Sequence, residues 1–260
     1  MSHTPVLETE ALTIRFGGHV AVDRVSCAFE AGTLTAIVGP NGAGKTTYFN
    51  LVSGQLAPTS GAVRLYGEEI TRASAPERTR LGIGRAFQLT NLFPHLTVLE
   101  NVRLAVQSRE RIGMRLFSLA EDHRHLIEKA HHCLERTGLA ARAESPVVSL
   151  PHGDQRKLEV AVLLALETDV LMFDEPTAGM SVDEVPVVLE LIEQIKRDGD
   201  KTILLVEHKM DVVRSLADRI VVLHNGALVA DGEPAEVIAS PVVQEAYLGL
   251  SKRTGEQGDG

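Results

Sequence analysis

Cysteine is scarce in this sequence: Cys27 and Cys133 are the only two among 260 residues. They form no metal-ligand spacing and no disulfide framework, as expected of a chain in a reducing compartment. Positive charge is also in short supply, with 26 Lys and Arg against 35 Asp and Glu, a net charge of −9. That balance argues against a dedicated nucleic-acid module, which needs a basic stripe, and against adhesion to anionic lipid by charge alone. Long apolar runs are missing too. The longest informative one, Val160 to Leu166, lies between Glu159 and Glu167 and is far too short to span a bilayer. The opening residues, MSHTPVLETE, have no basic start and no apolar core, so no signal peptide is expected. What remains is an ordinary globular balance of 44% hydrophobic and 23% charged residues. The expectation is a soluble cytoplasmic chain, long enough for one large α/β domain or two small ones.

The first thirty residues alternate like strands, Val6 to Phe16 and Val20 to Phe29, around Gly17-Gly18. Period-two patterning about a Gly-Gly turn predicts an antiparallel hairpin. Leu34 to Val38 is a short β-favouring run, followed after a glycine-rich turn by a helical stretch from Thr46 to about Val52 that Gly54 stops. From about Leu96 to Leu139 apolar residues recur at helical spacings. Strand logic returns at Val170 to Phe173, Ile203 to Val206 and Ile220 to Leu223, continuous runs of the kind found in parallel strands covered on both faces. An amphipathic helix carries Val185, Val188, Leu189, Ile192 and Ile195; Ser181 with Glu184 suggests a capping box at its start, while Pro186 suggests a first helical residue. The Gly-rich polar tail, 251–260, is expected to be disordered. There is no internal repeat and no linker between independent domains.

Gly39-Pro40-Asn41-Gly42-Ala43-Gly44-Lys45-Thr46 matches G-x-x-x-x-G-K-[ST] at every fixed position. Glycines let backbone N–H groups turn inward around a phosphate, and the following helix adds its unpaired N–H groups and positive dipole end. Lys45 brings a full charge for the β- and γ-phosphates, and the Thr46 hydroxyl can ligate Mg²⁺. The strand-then-helix context is the one this motif requires. Asp174-Glu175 ends another predicted parallel strand; Asp174 would hold the metal, and Glu175 could polarise an attacking water as general base. His208 follows the strand that ends at Val206, where it could bond a γ-phosphate oxygen and fix the carboxylate. His123, His125, His131 and His132 cluster with Glu121 and Glu128, but their i,i+4 spacing suits an exposed helix face better than a metal site.

Together these motifs resemble the ATP-binding cassette (ABC) ATPases over about residues 6 to 250. The likeness includes Gln88 within Arg85-Ala86-Phe87-Gln88, similar to the family's glutamine loop, and Leu150 to Arg156, placed where the LSGGQ signature lies. Glu207-His208 matches the switch histidine, and Phe16 takes the place of the adenine-stacking aromatic. Thr177 to Met180, Val206 to Asp211, Asp231 to Pro234 and Ala246 to Gly249 look like the ATPase subunits of branched-chain amino acid importers.

The resemblance implies a P-loop NTPase-type parallel sheet core with an N-terminal antiparallel β subdomain and an inserted helical subdomain at about 93–160. All of this would form a single nucleotide-binding domain over 1–250. It implies ATP and Mg²⁺ as cofactors, held by Phe16, the loop from Gly39 through Thr46 and Thr47, with Thr46, Gln88 and Asp174 toward the metal and this chain's Gly153 offered to a partner's nucleotide. Glu175, His208 and Gln88 would be catalytic. It further implies an ATP-hydrolysing subunit lying peripherally on the cytoplasmic face of the bacterial inner membrane. Its partners would be transmembrane permeases contacted through Asn91 to Val102, a second ATPase subunit and, indirectly, a periplasmic binding protein, with no nucleic acid. The solute would be a branched-chain or other amino acid, or another amide-like compound.

The sequence departs from the family pattern where Pro151 replaces the signature serine, Asp154 its first glutamine, and Ser181 an aspartate after the strand-end carboxylates. Pro151 has neither a hydroxyl nor an N–H to offer phosphate. Other classes fit less well. A repair-type ABC ATPase needs sustained heptads where Leu96 to Leu150 has none. A translation-type one generally fuses two cassettes, and a P-loop kinase or GTPase leaves Leu150 to Arg156 and His208 unexplained.

Overall fold

The N-terminal alternation is a hairpin. In the computed structural model, which describes residues 5–86, 92–110 and 124–246, β1 (Leu7–Phe16) pairs antiparallel with β2 (His19–Phe29) from Leu7↔Phe29 to Phe16↔His19. The chain continues through β3 (Leu34–Val38) and α1 (Lys45–Val52). It then returns as β4 (Ser60–Leu65) and β5 (Glu68–Glu69) to complete a four-stranded antiparallel sheet in the order β2-β1-β4-β5.

Two compact units divide the chain: Met1–Arg78 with Gly199–Gly260, and Thr79–Asp198. In the first, β3 is flanked by two parallel neighbours, β8 (Thr202–Val206) and β9 (Arg219–His224), and β10 (Ala227–Gly232) folds back antiparallel on β9. Every residue of β3 and β8 is buried, which is why these segments read as unbroken apolar runs rather than alternating ones. The helices α7 (Met210–Leu216) and α8 (Pro234–Ala239) supply Val213 and Val237, which pack against Ala36, Val38, Ile220 and Val222.

In the second unit, β6 (Ile83–Ala86) and β7 (Val170–Asp174) run parallel in the register Ile83↔Val170 to Ala86↔Phe173. The helical stretch resolves into α3 (Val98–Arg109), opened by a Thr97/Glu100 capping box, and α4 (Arg124–Arg136). These pack with α5 (His152–Ala165), while α6 (Val185–Asp198) follows β7. A short helix, α2 (Ala75–Leu81), contains the sequence position, after Arg78, at which the first unit ends. The start of α6 falls at neither residue read from the sequence: Val185 is its first residue, and Ser181 with Glu184 forms a turn ahead of it. Glu184 accepts from the Ser181 amide at 3.1 Å and hydroxyl at 2.9 Å, closing a turn, and the helix begins one residue later with Pro186 in its first turn. The tail 251–260, Gln88 and Asn91 lie outside the described residues, as do Glu121 and His123.

Candidate functional site

The phosphate loop leaves β3 and ends on α1, all within the first unit. Gly39 takes φ +151°, and a Cβ there would lie 2.1 Å from the Leu223 carbonyl oxygen. Gly44 (φ +97°) precedes α1 and has no side chain with which to cap it, and no acid stands in the first turn. The helix's leading amides therefore face the loop with their partial positive charge. Lys45 is buried, and its ammonium donates to Gly39 O at 2.7 Å and Pro40 O at 3.0 Å. Folded back along the loop, it holds a cation where a polyphosphate would sit. The Thr46 side is exposed, Thr47 is half-buried and Asn41 is exposed. Ala43 N–H donates to Pro40 O and Ala43 O accepts from Gly226 N, which ties the loop to the β9–β10 turn. Gly-rich backbone, a buried ammonium and an exposed hydroxyl together suit a polyphosphate with a hard, oxygen-loving divalent cation.

His208 stands in the loop after β8, exposed, in the same unit as the phosphate loop. Its neighbour Glu207, to which no role is assigned from the sequence, is fully buried and organises the loop. Its Oε2 accepts from the His208 amide at 3.0 Å and the Lys209 amide at 3.2 Å, and lies 4.0 Å from His208 Nδ1. A glutamate at the end of an apolar strand was the available signal. Phe16, at the hairpin end, is 51% exposed, so its ring faces solvent rather than a core.

In the second unit, Asp174 is the last residue of β7 and Glu175 follows it. Asp174 is buried and bonded through Oδ2 to Arg85 Nη2 at 2.5 Å. Glu175 adopts φ +49°. A left-handed glutamate costs about 1–3 kcal/mol and persists where the surrounding structure over-determines it, as at active sites. The turn that holds it is closed by Ala178 N–H donating to Glu175 O at 3.0 Å.

The stretch corresponding to a signature begins α5. Pro151 is its N-cap, with φ −57° and ψ 156°, and its carbonyl accepts from Gln155 N. Gly153 is buried, and its N–H donates to Glu184 Oε1 at 3.1 Å. Hydrogen bonds from the Ser181 backbone, then its hydroxyl, then Gly153 hold the Glu184 carboxyl below its usual range. Asp154 pairs with Lys157 at 3.2 Å. His125, one of the clustered histidines, is bonded to Glu110 at 2.7 Å, and Lys129 shares that carboxylate. Among the described residues no group of three or more His, Cys, Asp or Glu is arranged to hold a metal.

The family model for ABC transporters matches residues 22–178, from β2 through the turn after Glu175. The chain belongs to the ABC transporter family. A second model, for branched-chain amino acid ATP-binding cassette transporters, matches residues 227–250. The chain is 39% identical to the high-affinity branched-chain amino acid transport ATP-binding protein BraF of Pseudomonas aeruginosa over 251 residues, covering 94% of this chain and 98% of that protein. It is 35% identical to LivG of Escherichia coli, a protein of the same description, over 250 residues and the same shares. Among solved structures, an ATP-binding cassette of an ABC transporter in its ADP conformation superimposes with a TM-score of 0.81 at 29% identity, covering 94% of this chain and 98% of that one. The fold is thus that of ABC ATPase cassettes, and the chain is a nucleotide-binding ATPase subunit. No described helix is long and apolar enough to cross a membrane.

Proposed function

We propose that residues 1–250 act as one nucleotide-binding domain, the ATP-hydrolysing, energy-coupling subunit of an importer for branched-chain amino acids. The observation that carries this reading is the phosphate loop, with Lys45 buried against its carbonyls and the exposed Thr46 in the first turn of α1. Bound there, MgATP would supply the phosphoryl group to be cleaved. Lys45 and the loop amides would hold the β- and γ-phosphates, Thr46 and Asp174 would face the metal with Gln88, and the Phe16 ring would stack on adenine. Thr47 would extend the loop's hold by one residue. Glu175 would take a proton from the attacking water, with His208, held by Glu207, on the γ-phosphate.

The chain would work as a dimer on the cytoplasmic face of the inner membrane, docked on transmembrane permeases that a periplasmic binding protein feeds. The exposed Phe93, just ahead of α3, belongs to the stretch that would meet them. Each ATP would be completed by a partner's signature. The Pro151 N-cap brings no hydroxyl, and Gly153 N–H already serves Glu184, so this chain's own signature is a poor acceptor of the partner's nucleotide. A distinct second ATPase subunit with an intact signature would restore the site built on Lys45 and Glu175.

Reconstitution of the chain with its permeases and binding protein in proteoliposomes tests both parts. ATP-dependent leucine uptake is expected, and it should require the second ATPase. No uptake of any amino acid would overturn the importer reading; full uptake with this chain as sole ATPase would overturn the heterodimer.

A further inference from the structure

The parallel register of β6 and β7 places Arg85 opposite Met172, two residues short of Asp174. Across that step the guanidinium reaches the carboxylate, Nη2 to Oδ2 at 2.5 Å, and both side chains are only 7% exposed. Neither charge is stable there alone. A buried ion stripped of water needs its partner, and removing one member leaves the other uncompensated. Burial pushes the Arg85 guanidinium below its ordinary value, and the hydrogen bond and charge of Asp174 pull it partly back. An arginine stays protonated throughout the physiological range regardless. In a four-residue strand whose other members are Ile83, Gly84 and Ala86, this is a charged residue bonded to an acid on the adjacent strand.

We infer that Arg85 is a positioning residue that serves as the resident counter-cation of Asp174, so that a divalent metal arriving with nucleotide must draw on a carboxylate already held by a positive charge. The inference rests on the metal-facing role proposed for Asp174. Its physical content is a competition. The guanidinium holds the Asp174 carboxylate in one orientation while no metal is bound. The same charge at bonding distance then repels an incoming divalent cation and lowers the carboxylate's availability to it. The nucleotide's own phosphates must therefore bring the metal in, which makes metal and nucleotide enter together.

The test is calorimetric and uses the full chain. Binding of AMP-PNP is measured once with Mg²⁺ and once with EDTA, and the ratio of the two Kd values reports how strongly the protein itself grips the metal. Loss of stability alone would weaken both values together and leave the ratio unmoved. Arg85→Gln is expected to raise the Mg²⁺ advantage about tenfold, equivalent to ~1.4 kcal/mol, and Asp174→Asn added to it should remove that gain. An unchanged or smaller ratio in Arg85→Gln overturns the inference. Should Arg85→Gln fail to fold, Arg85→Lys keeps the charge but loses the planar fork. Its ratio should rise by a smaller factor, and no rise overturns the inference equally. If the wild-type chain binds AMP-PNP under neither condition, the nucleotide reading itself falls; if it binds under both but ignores Arg85, only the present inference does.

Discussion

Replacing Gly39 and Gly42 separately with alanine asks the same loop two different questions. At Gly42 (φ +79°) an added Cβ meets no atom within 4 Å, so the cost is conformational only. A left-handed alanine costs about 1–2 kcal/mol, offset by about 0.4–1 kcal/mol from the stiffer unfolded chain. The net is a loss of about 1 kcal/mol. At Gly39 the Cβ would fall 2.1 Å from Leu223 O and 3.1 Å from the Ala43 Cβ. Leu223 is paired to Leu228 on β10, and its neighbour Val222 to Val38 on β3, so the carbonyl retreats only if a ladder opens. Overpacking against main chain costs about 1–3 kcal/mol or more, and the forced φ of +151° adds about 1–3 kcal/mol. Less the same unfolded-chain offset, the sum is about 3 kcal/mol or more. At roughly 2–4 °C per kcal/mol for a chain of this size, Gly42→Ala should lower Tm by about 3 °C and Gly39→Ala by about 10 °C or more. Scanning calorimetry of the nucleotide-free protein reads both. Equal losses, or a drop of less than about 3 °C for Gly39→Ala, would refute the claim that close approach of β9 shapes the loop.

Lys45→Ala removes a charge that, at ~4 Å from phosphate and an effective dielectric of ~20, is worth about 4 kcal/mol. MgATP affinity measured by calorimetry should fall about a thousandfold; a loss under about tenfold would remove Lys45 from the phosphate site. Glu175→Gln should keep nucleotide binding while cutting hydrolysis in the assembled transporter by about two orders of magnitude or more. Turnover reduced by less than about threefold would transfer the base role elsewhere, with His208 next to be tested. Glu184 is a carboxylate depressed in the folded state below its ordinary value of 4.5, chiefly by hydrogen bonds from Ser181. Its stabilising contribution is complete above that ordinary value and is lost as pH falls through the lower folded one. Thermal unfolding followed between about pH 5 and pH 3 should therefore flatten in Glu184→Gln, and a profile identical to wild type would show that these hydrogen bonds carry no linkage.

Much of the site was legible because its chemistry is local. Gly39 to Thr46 is one contiguous segment, and the backbone freedom, the charge and the hydroxyl that a phosphate requires all lie within it. The strands β3, β8 and β9 declared themselves for a similar reason, since burial on both faces demands an unbroken apolar run. Asp174-Glu175 and His208 were found as polar residues directly after such runs. The short strand β6, with Gly84 and Arg85 among its four residues, had no such pattern and went unread.

Only the tertiary structure decided the rest. Arg85 and Asp174 are 89 residues apart, and nothing local marks either as the other's counter-ion. Glu184 reaches back 31 residues to Gly153, so a pair expected to start α6 instead closes a turn ahead of it and occupies the amide at the start of α5. The sequence could show that Gly39 was glycine; that a carbonyl 184 positions onward leaves no room for a Cβ required the sheet to be assembled. Local chemistry is written in consecutive residues. Buried charge pairs and close backbone approaches are set by which distant segments the folded core brings side by side, and the cost of leaving a buried charge or polar group unpartnered then selects their partners.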